Sequence, residues 1–221
     1  MIYFVLILKI VLLRNKMQFI ELKDALKSFT IFSLKDIRRV DSHFYRNRLN
    51  EWQGKDYIKK IIKGYYVFSD LEIDERILFR IANLIYKPSY ISLEMALSYY
   101  HLIPESVFGV TSISTRRTYK FKTDFAEFSY RSIKPELFFG FEIMESNGIN
   151  FKIASVEKAL LDYFYINPHI NDKSGFEDLR FNTESFLNQI QDERLNTYLY
   201  RFDNKALTRR INSFMRFCRS V

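Results

Sequence analysis

An α+β fold in two parts is what the sequence predicts, and three observations carry it. Between residues 19 and 52 apolar residues recur three and four apart in short runs, the spacing of helices that bury one face. Residues 57–68 are rich in β-branched and aromatic side chains and are broken at Gly64, the pattern of a two-stranded hairpin. Beyond Pro88, strand-like stretches extend to Ala154, and helical periodicity resumes from Ser155 to Arg219.

Phe19, Leu22, Leu26 and Phe29 lie on one face of the first expected helix. Ser33 caps the second, residues 34–40, and Asp36 at its third position completes a capping box. Asp41 or Ser42 caps a third run, residues 43–52, in which Phe44, Leu49 and Trp52 turn inward, and Gly54 ends it. Three short helices and a hairpin make a winged helix-turn-helix over residues 17–70. Residues 1–16 form an apolar extension, which reads as an added helix or strand or as an upstream start ahead of Met17.

Residues 77–86 form the helix of a linking segment, 71–87. It stops at Lys87 because the residue before a proline is pushed out of helical geometry. The second domain, 88–221, is expected to be α+β. It opens with a helix over 93–100 capped by Ser92, and continues with strands in 107–114, 119–133 and 141–154. A tight turn at Asn147 and Gly148 completes a small antiparallel sheet. A strongly apolar helix over 156–165 follows its cap, Ser155; a loop over 167–175 then leads to two or three C-terminal helices between Thr183 and Arg219.

Charge is unevenly placed along this plan. Residues 1–70 hold 14 Lys+Arg against 7 Asp+Glu, residues 71–200 hold 14 against 18, and residues 201–221 hold six against one. A basic head and tail attract a polyanion, because each phosphate neutralised by Lys or Arg releases a condensed counterion. A solvated basic face with no partner is the alternative. The single cysteine, Cys218, excludes an internal disulfide and any Cys-based zinc cluster, and fits a reducing cytoplasm. The apolar run of residues 1–13 falls short of the roughly 20 residues needed to cross a bilayer, so no membrane partner is expected.

A winged helix reads DNA by laying its third helix in the major groove, where each base pair shows a distinct donor and acceptor pattern. Ser42, His43, Arg46 and Asn47 occupy the outward N-terminal face of that helix; Arg suits guanine and Asn suits adenine. Arg38 and Arg39 on the preceding helix, with Lys59, Lys60 and Lys63 on the hairpin, are expected to hold phosphates, fixing register without specifying sequence. Winged helices also serve as protein-docking modules, and that reading stays open here. The basic helix ending at Arg219 has three readings: contact with DNA flanking the site, binding of an acidic partner, or packing on the core with its arginines solvated.

Two segments give the chain a specific likeness. Tyr90, Ile91, Ser92 and Leu93, followed by Ala96, Leu97 and then Leu102, Ile103 and Pro104, resemble one segment of the AbiEi family of antitoxins. Ala154, Ser155, Glu157, Lys158, Ala159, Leu160, Leu161 and Asp162 resemble a helix of the same family, and Gly64 to Tyr66 is similar to its wing. The resemblance spans roughly residues 19–200 and implies a repressor that binds repeats upstream of its own operon. It also implies the antitoxin of a type IV toxin-antitoxin, abortive-infection system used in phage defence. Such an antitoxin counters a cognate nucleotidyltransferase-like toxin, with or without a stable complex. On this reading the chain is a monomer or a DNA-assembled dimer. Glu157, Lys158 and Asp162 are expected to cap, pair and fix packing.

No cofactor, metal or catalytic set is expected. The sequence has no phosphate-binding glycine loop and no nucleophile elbow, and His43, His101 and His169 lack metal-ligand spacing. Asp124, Glu127 and Glu142, with Lys122 and Lys152, loosely match the carboxylate and lysine set of a metal-dependent nuclease, which stands as a minor alternative.

Overall fold

The computed structural model describes residues 17–104, 109–146 and 148–220. The expected first element in residues 1–16, the start of the strand at Val107 and the Asn147 half of the tight turn lie outside them. Among the described residues the fold is mixed α+β, with ten α-helices and two sheets. The chain divides into two compact units between Ile73 and Asp74.

The first unit contains helix α1 (Phe19–Leu26), strand β1 (Phe32–Ser33), helices α2 (Leu34–Val40) and α3 (Asn47–Gly54), and strands β2 (Ile58–Ile62) and β3 (Tyr65–Phe68). The strands form an antiparallel sheet in the order β1-β3-β2. Leu22, Leu26, Phe32, Ile37, Phe44, Leu49, Trp52 and Ile58 make its core. The expected capping box is present: Asp36 N–H donates to Ser33 Oγ and Ser33 N–H donates to Asp36 Oδ2 at 2.9 Å. A cap of this kind contributes about 1 kcal/mol.

Helix α3 starts four residues later than the sequence suggests. Asp41 accepts the His43 N–H on its side chain at 3.0 Å and the Phe44 N–H on its carbonyl at 3.1 Å. Those bonds make a turn that competes with helix through residues 42–46. The helix then includes Gly54 and is capped at Lys55.

The second unit begins with Asp74, whose carboxylate accepts the Ile77 N–H at 2.8 Å and caps helix α4 (Glu75–Ile85). Strand β4 (Ser89–Ile91), helix α5 (Leu93–Tyr99) and strands β5 (Val110–Ser114), β6 (Tyr119–Lys122), β7 (Glu127–Ser132), β8 (Phe141–Ser146) and β9 (Ile149–Ala154) follow. The sheet is not the small antiparallel one expected. It has six strands in the order β6-β7-β5-β4-β9-β8, and the β4–β9 and β5–β7 pairs are parallel. Its centre is β4, a three-residue strand whose neighbours come from distant parts of the sequence, so local alternation does not reveal it.

Helix α6 (Val156–Ile166) starts at its expected cap, Ser155, which accepts the Lys158 N–H. Helices α7 (Lys173–Asp178), α8 (Thr183–Gln189), α9 (Asp192–Phe202) and α10 (Lys205–Ser220) complete the unit. Helix α7 occupies part of the segment expected as loop, because Asp172 caps it by accepting the Gly175 N–H. Helix α4 packs along β4, β5 and β9, with Phe79 meeting Phe151 edge to face. Helix α6 is buried along most of its length, against α5, α9 and α10. Among the described residues no helix is long and apolar enough to cross a membrane.

Candidate nucleic-acid interface

Every residue singled out from the sequence on the first unit is solvent-exposed: Arg38, Arg39, Ser42, His43, Arg46, Asn47, Lys59, Lys60 and Lys63. The inward residues are also as expected, with Phe44, Leu49 and Trp52 at most 3% exposed. Arg48 is removed from the outer face by its own aromatic neighbours. Its guanidinium lies 4.8 Å from the Trp52 ring centroid and 5.6 Å from that of Phe44. Such a stack contributes roughly 0.5–1 kcal/mol and fixes the side chain along the helix.

Arg46, Asn47, Asn50 and Gln53 converge with Lys60 and Tyr66 around a polar hollow of about 380 Å³ between α3 and the hairpin. Lys60 reaches it because the pleat puts it on the same face as Ile58, opposite its register partner Tyr66. A bulge at Ile61 then shifts the register before the turn. Asn50 and Gln53 are the residues that sequence reasoning missed. Their signal was the three- and four-residue spacing from Asn47 and Arg46, which continues the outward stripe by one more turn. Gln53 anchors itself by donating to the Leu49 carbonyl at 3.0 Å, which leaves its amide oxygen as an acceptor at the hollow.

Ser42 and His43 sit in the turn ahead of α3 and do not line the hollow; Ser42 Oγ and His43 Nδ1 are 3.1 Å apart. Arg38, Arg39, Lys59 and Lys63 also lie outside it. Pairing separates the cations further. Lys23 is held by Asp70 at 2.5 Å, Lys55 by Glu51 at 2.7 Å and Arg39 by Asp36 at 3.5 Å. Among the described residues Arg38, Arg46, Lys59, Lys60 and Lys63 have no carboxylate partner, so an anion approaching them displaces no ion pair.

The second unit concentrates its ionisable side chains inside. Tyr90 and Ser92 each donate a hydroxyl to Asp162 Oδ2 at 2.8 Å, and Lys158 Nζ donates to Oδ1 of the same carboxylate. All four residues are fully buried. The Lys158 ammonium also lies 4.7 Å from the Phe202 ring centroid and 5.0 Å from that of Phe139. Burial lowers the Lys158 pKa despite the attraction of Asp162, and burial raises that of Asp162 despite Lys158 and the two hydroxyls. At the position before Lys158, buried Glu157 accepts from Ser155 Oγ and the Gln191 N–H, both at 2.9 Å, and pairs with Arg194 at 2.8 Å. The expected pairing and packing role of Glu157, Lys158 and Asp162 is what the geometry provides.

The nuclease-like set does not assemble. Glu127 is on β7 and Glu142 on β8, four strand positions apart across the sheet, or roughly 19 Å at the usual interstrand spacing. Glu127 pairs with Lys120 at 2.7 Å and Glu142 with Arg194 at 3.1 Å. Among the described residues no group of three or more His, Cys, Asp or Glu side chains is placed to hold a metal ion. No protein-family model matches the chain, and no curated protein matches it.

Proposed function

We propose that the first unit is a winged helix-turn-helix that binds duplex DNA, with α3 as the reading helix and the β2–β3 hairpin as the wing. One observation carries this reading. The order helix, strand, helix, helix, strand, strand, with the sheet order β1-β3-β2, presents an outer face of α3 and its N-cap on which Arg46, Asn47, Asn50 and Gln53 stand beside Lys60, which has no carboxylate partner among the described residues. Asn and Arg on this face supply the forked donors and acceptors that base edges require, while Lys59, Lys60, Lys63 and Arg38 supply phosphate contacts.

For the whole chain the proposal follows the AbiEi resemblance: an autoregulating repressor and antitoxin that counters a nucleotidyltransferase-like toxin. The two segments behind that resemblance meet at Tyr90, Ser92, Lys158 and Asp162, which supports reading them as one inherited core. Being buried, these residues hold the second unit together; contact with a toxin would fall elsewhere.

The test is a salt-titrated shift assay with the full chain, on the duplex upstream of its own gene and on a scrambled duplex. Arg46→Ala is expected to cost about 1–3 kcal/mol of specific affinity. Replacing Lys59, Lys60 and Lys63 together by alanine is expected to weaken every duplex alike and flatten the salt slope by about 0.9 for each phosphate that is no longer neutralised. No shift of either duplex at low salt would leave the docking of a protein partner as the better account.

A further inference from the structure

Strand β8 ends the six-stranded sheet on one side and β6 ends it on the other, and the two edges are finished differently. β6 is four residues long and carries Lys120 and Lys122, the short, charged edge that deters pairing with another chain. β8 is six residues long and carries Ile143, a large apolar side chain that is 68% exposed. Its backbone is open as well. Bonded and non-bonded pairs alternate along an antiparallel ladder. One position before β8, the Gly140 carbonyl accepts the Ser155 N–H at 2.9 Å. Residues 142 and 144 therefore face β9, while Phe141, Ile143 and Glu145 turn their N–H and C=O groups outward. Lys152, opposite Ile143, agrees: its N–H goes to Asn83 Oδ1 on α4 and not to β8. Among the described residues no strand pairs with the outward groups.

We infer that β8 is the interface of a homodimer, in which it pairs antiparallel with β8 of a second copy about a two-fold axis at Ile143. The inference goes beyond the DNA-binding reading and does not depend on it. A two-fold interface is isologous, so the strand must complement itself read backwards. In this register Ile143 meets the partner's Ile143, Phe141 meets the partner's Glu145, and Glu142 meets the partner's Met144. No two like charges stand opposite, and every outward N–H and C=O of the three residues is paired. Moving the axis to Glu142 or Glu145 sets carboxylates against each other. Moving it to Met144 sets Ile143 against a carboxylate and leaves Phe141 opposite no residue of the strand. Charge favours the same register. The Lys152 ammonium lies 5.3 Å from the centroid of the Phe141 ring, which places it beside the partner's Glu145, and the symmetry makes that ion pair twice. Among the described residues neither Lys152 nor Glu145 has an ion-pair partner within its own chain. Duplex DNA is a poor occupant of this edge, because Glu142 and Glu145 repel a polyanion. One short ladder is a small interface, so the dimer is expected to be weak and to depend on concentration.

The experiment is sedimentation velocity of the full chain over a concentration series, without DNA. The wild type is expected to pass from monomer to dimer as its concentration rises. Ile143→Pro removes an outward N–H that the single chain does not use, and edge positions tolerate proline. It is expected to stay monomeric throughout and to keep the thermal midpoint measured at the lowest concentration. Should that midpoint fall, Ile143→Lys takes its place; it keeps the N–H, sets two ammonium groups at the axis and is expected to abolish the dimer equally. Lys152→Glu turns two attractions into two repulsions and is expected to weaken the dimer about tenfold. Adding Glu145→Lys to it should restore association. A wild-type chain still monomeric at about 1 mM would overturn the inference. So would a dimer that the Ile143 variants leave intact, as pairing through another surface would give, or a double exchange that restores nothing.

Discussion

Lys158 and Asp162 are a fully buried ion pair, four residues apart on α6. The spacing was legible in the sequence, since i and i+4 share a helical face. The hydroxyls that complete the cluster were not, because Tyr90 and Ser92 lie 70 or more residues away and reach it only through the sheet. Removing one partner leaves the other buried and uncompensated, so Lys158→Ala is expected to lower stability by about 3–5 kcal/mol in chemical denaturation. Lys158→Met combined with Asp162→Asn should recover most of that loss, because the amide oxygen still accepts from Tyr90 and Ser92. A Lys158→Ala variant as stable as the wild type would show that the pair does not hold the unit. Cys218 is the other buried titratable group of note: burial pushes its thiol up to about 12. It should therefore ignore an aromatic disulfide reagent at mildly alkaline pH until the protein is denatured. Rapid labelling of the native chain would mean that the C-terminal half of α10 opens readily.

Elements were readable where a local rule settles them and obscure where distant partners do. The Ser33 and Asp36 capping box and the Ser155 cap needed nothing beyond neighbouring residues. The start of α3 was misplaced because Asp41 can serve either as a helix cap or as the acceptor of a preceding turn, and packing of Phe44 goes with the turn. The mixed sheet was hidden for a different reason: β4 pairs in parallel with β9, Ile91 against Ile153, with most of the sheet's other strands between them in sequence. Two glycines give this scale its test. Gly64, in the hairpin turn, has φ +90° with open space around it, so Gly64→Ala is expected to cost about 1–2 kcal/mol from backbone strain alone. Gly140 has φ +72°, and a Cβ there would stand 2.9 Å from the Tyr198 ring and 3.1 Å from the Lys158 side chain. Gly140→Ala should therefore lower the denaturation midpoint further than Gly64→Ala does. The opposite order would mean that the surroundings of Lys158 yield easily.

Across the whole molecule, charge was the most legible property and geometry the least. The basic excess of the first 70 residues was countable from the sequence, but which cations stand free was not, since Lys23, Lys55 and Arg39 are neutralised by neighbours and Arg48 is held by rings. The same sorting applies to the last helix, where Arg219 pairs with Asp192 at 2.9 Å while, among the described residues, Arg209 and Arg216 have no carboxylate partner. The chain also has one tryptophan, and it sits on the inner face of α3. Trp52 is 2% exposed, with the Phe19 and Phe44 rings 5.4 and 5.2 Å away and the Arg48 guanidinium against it. Excitation at the red edge of protein absorption therefore addresses the first unit alone. Its emission supplies a label-free optical signal from the back of the helix whose front is the proposed DNA-reading face.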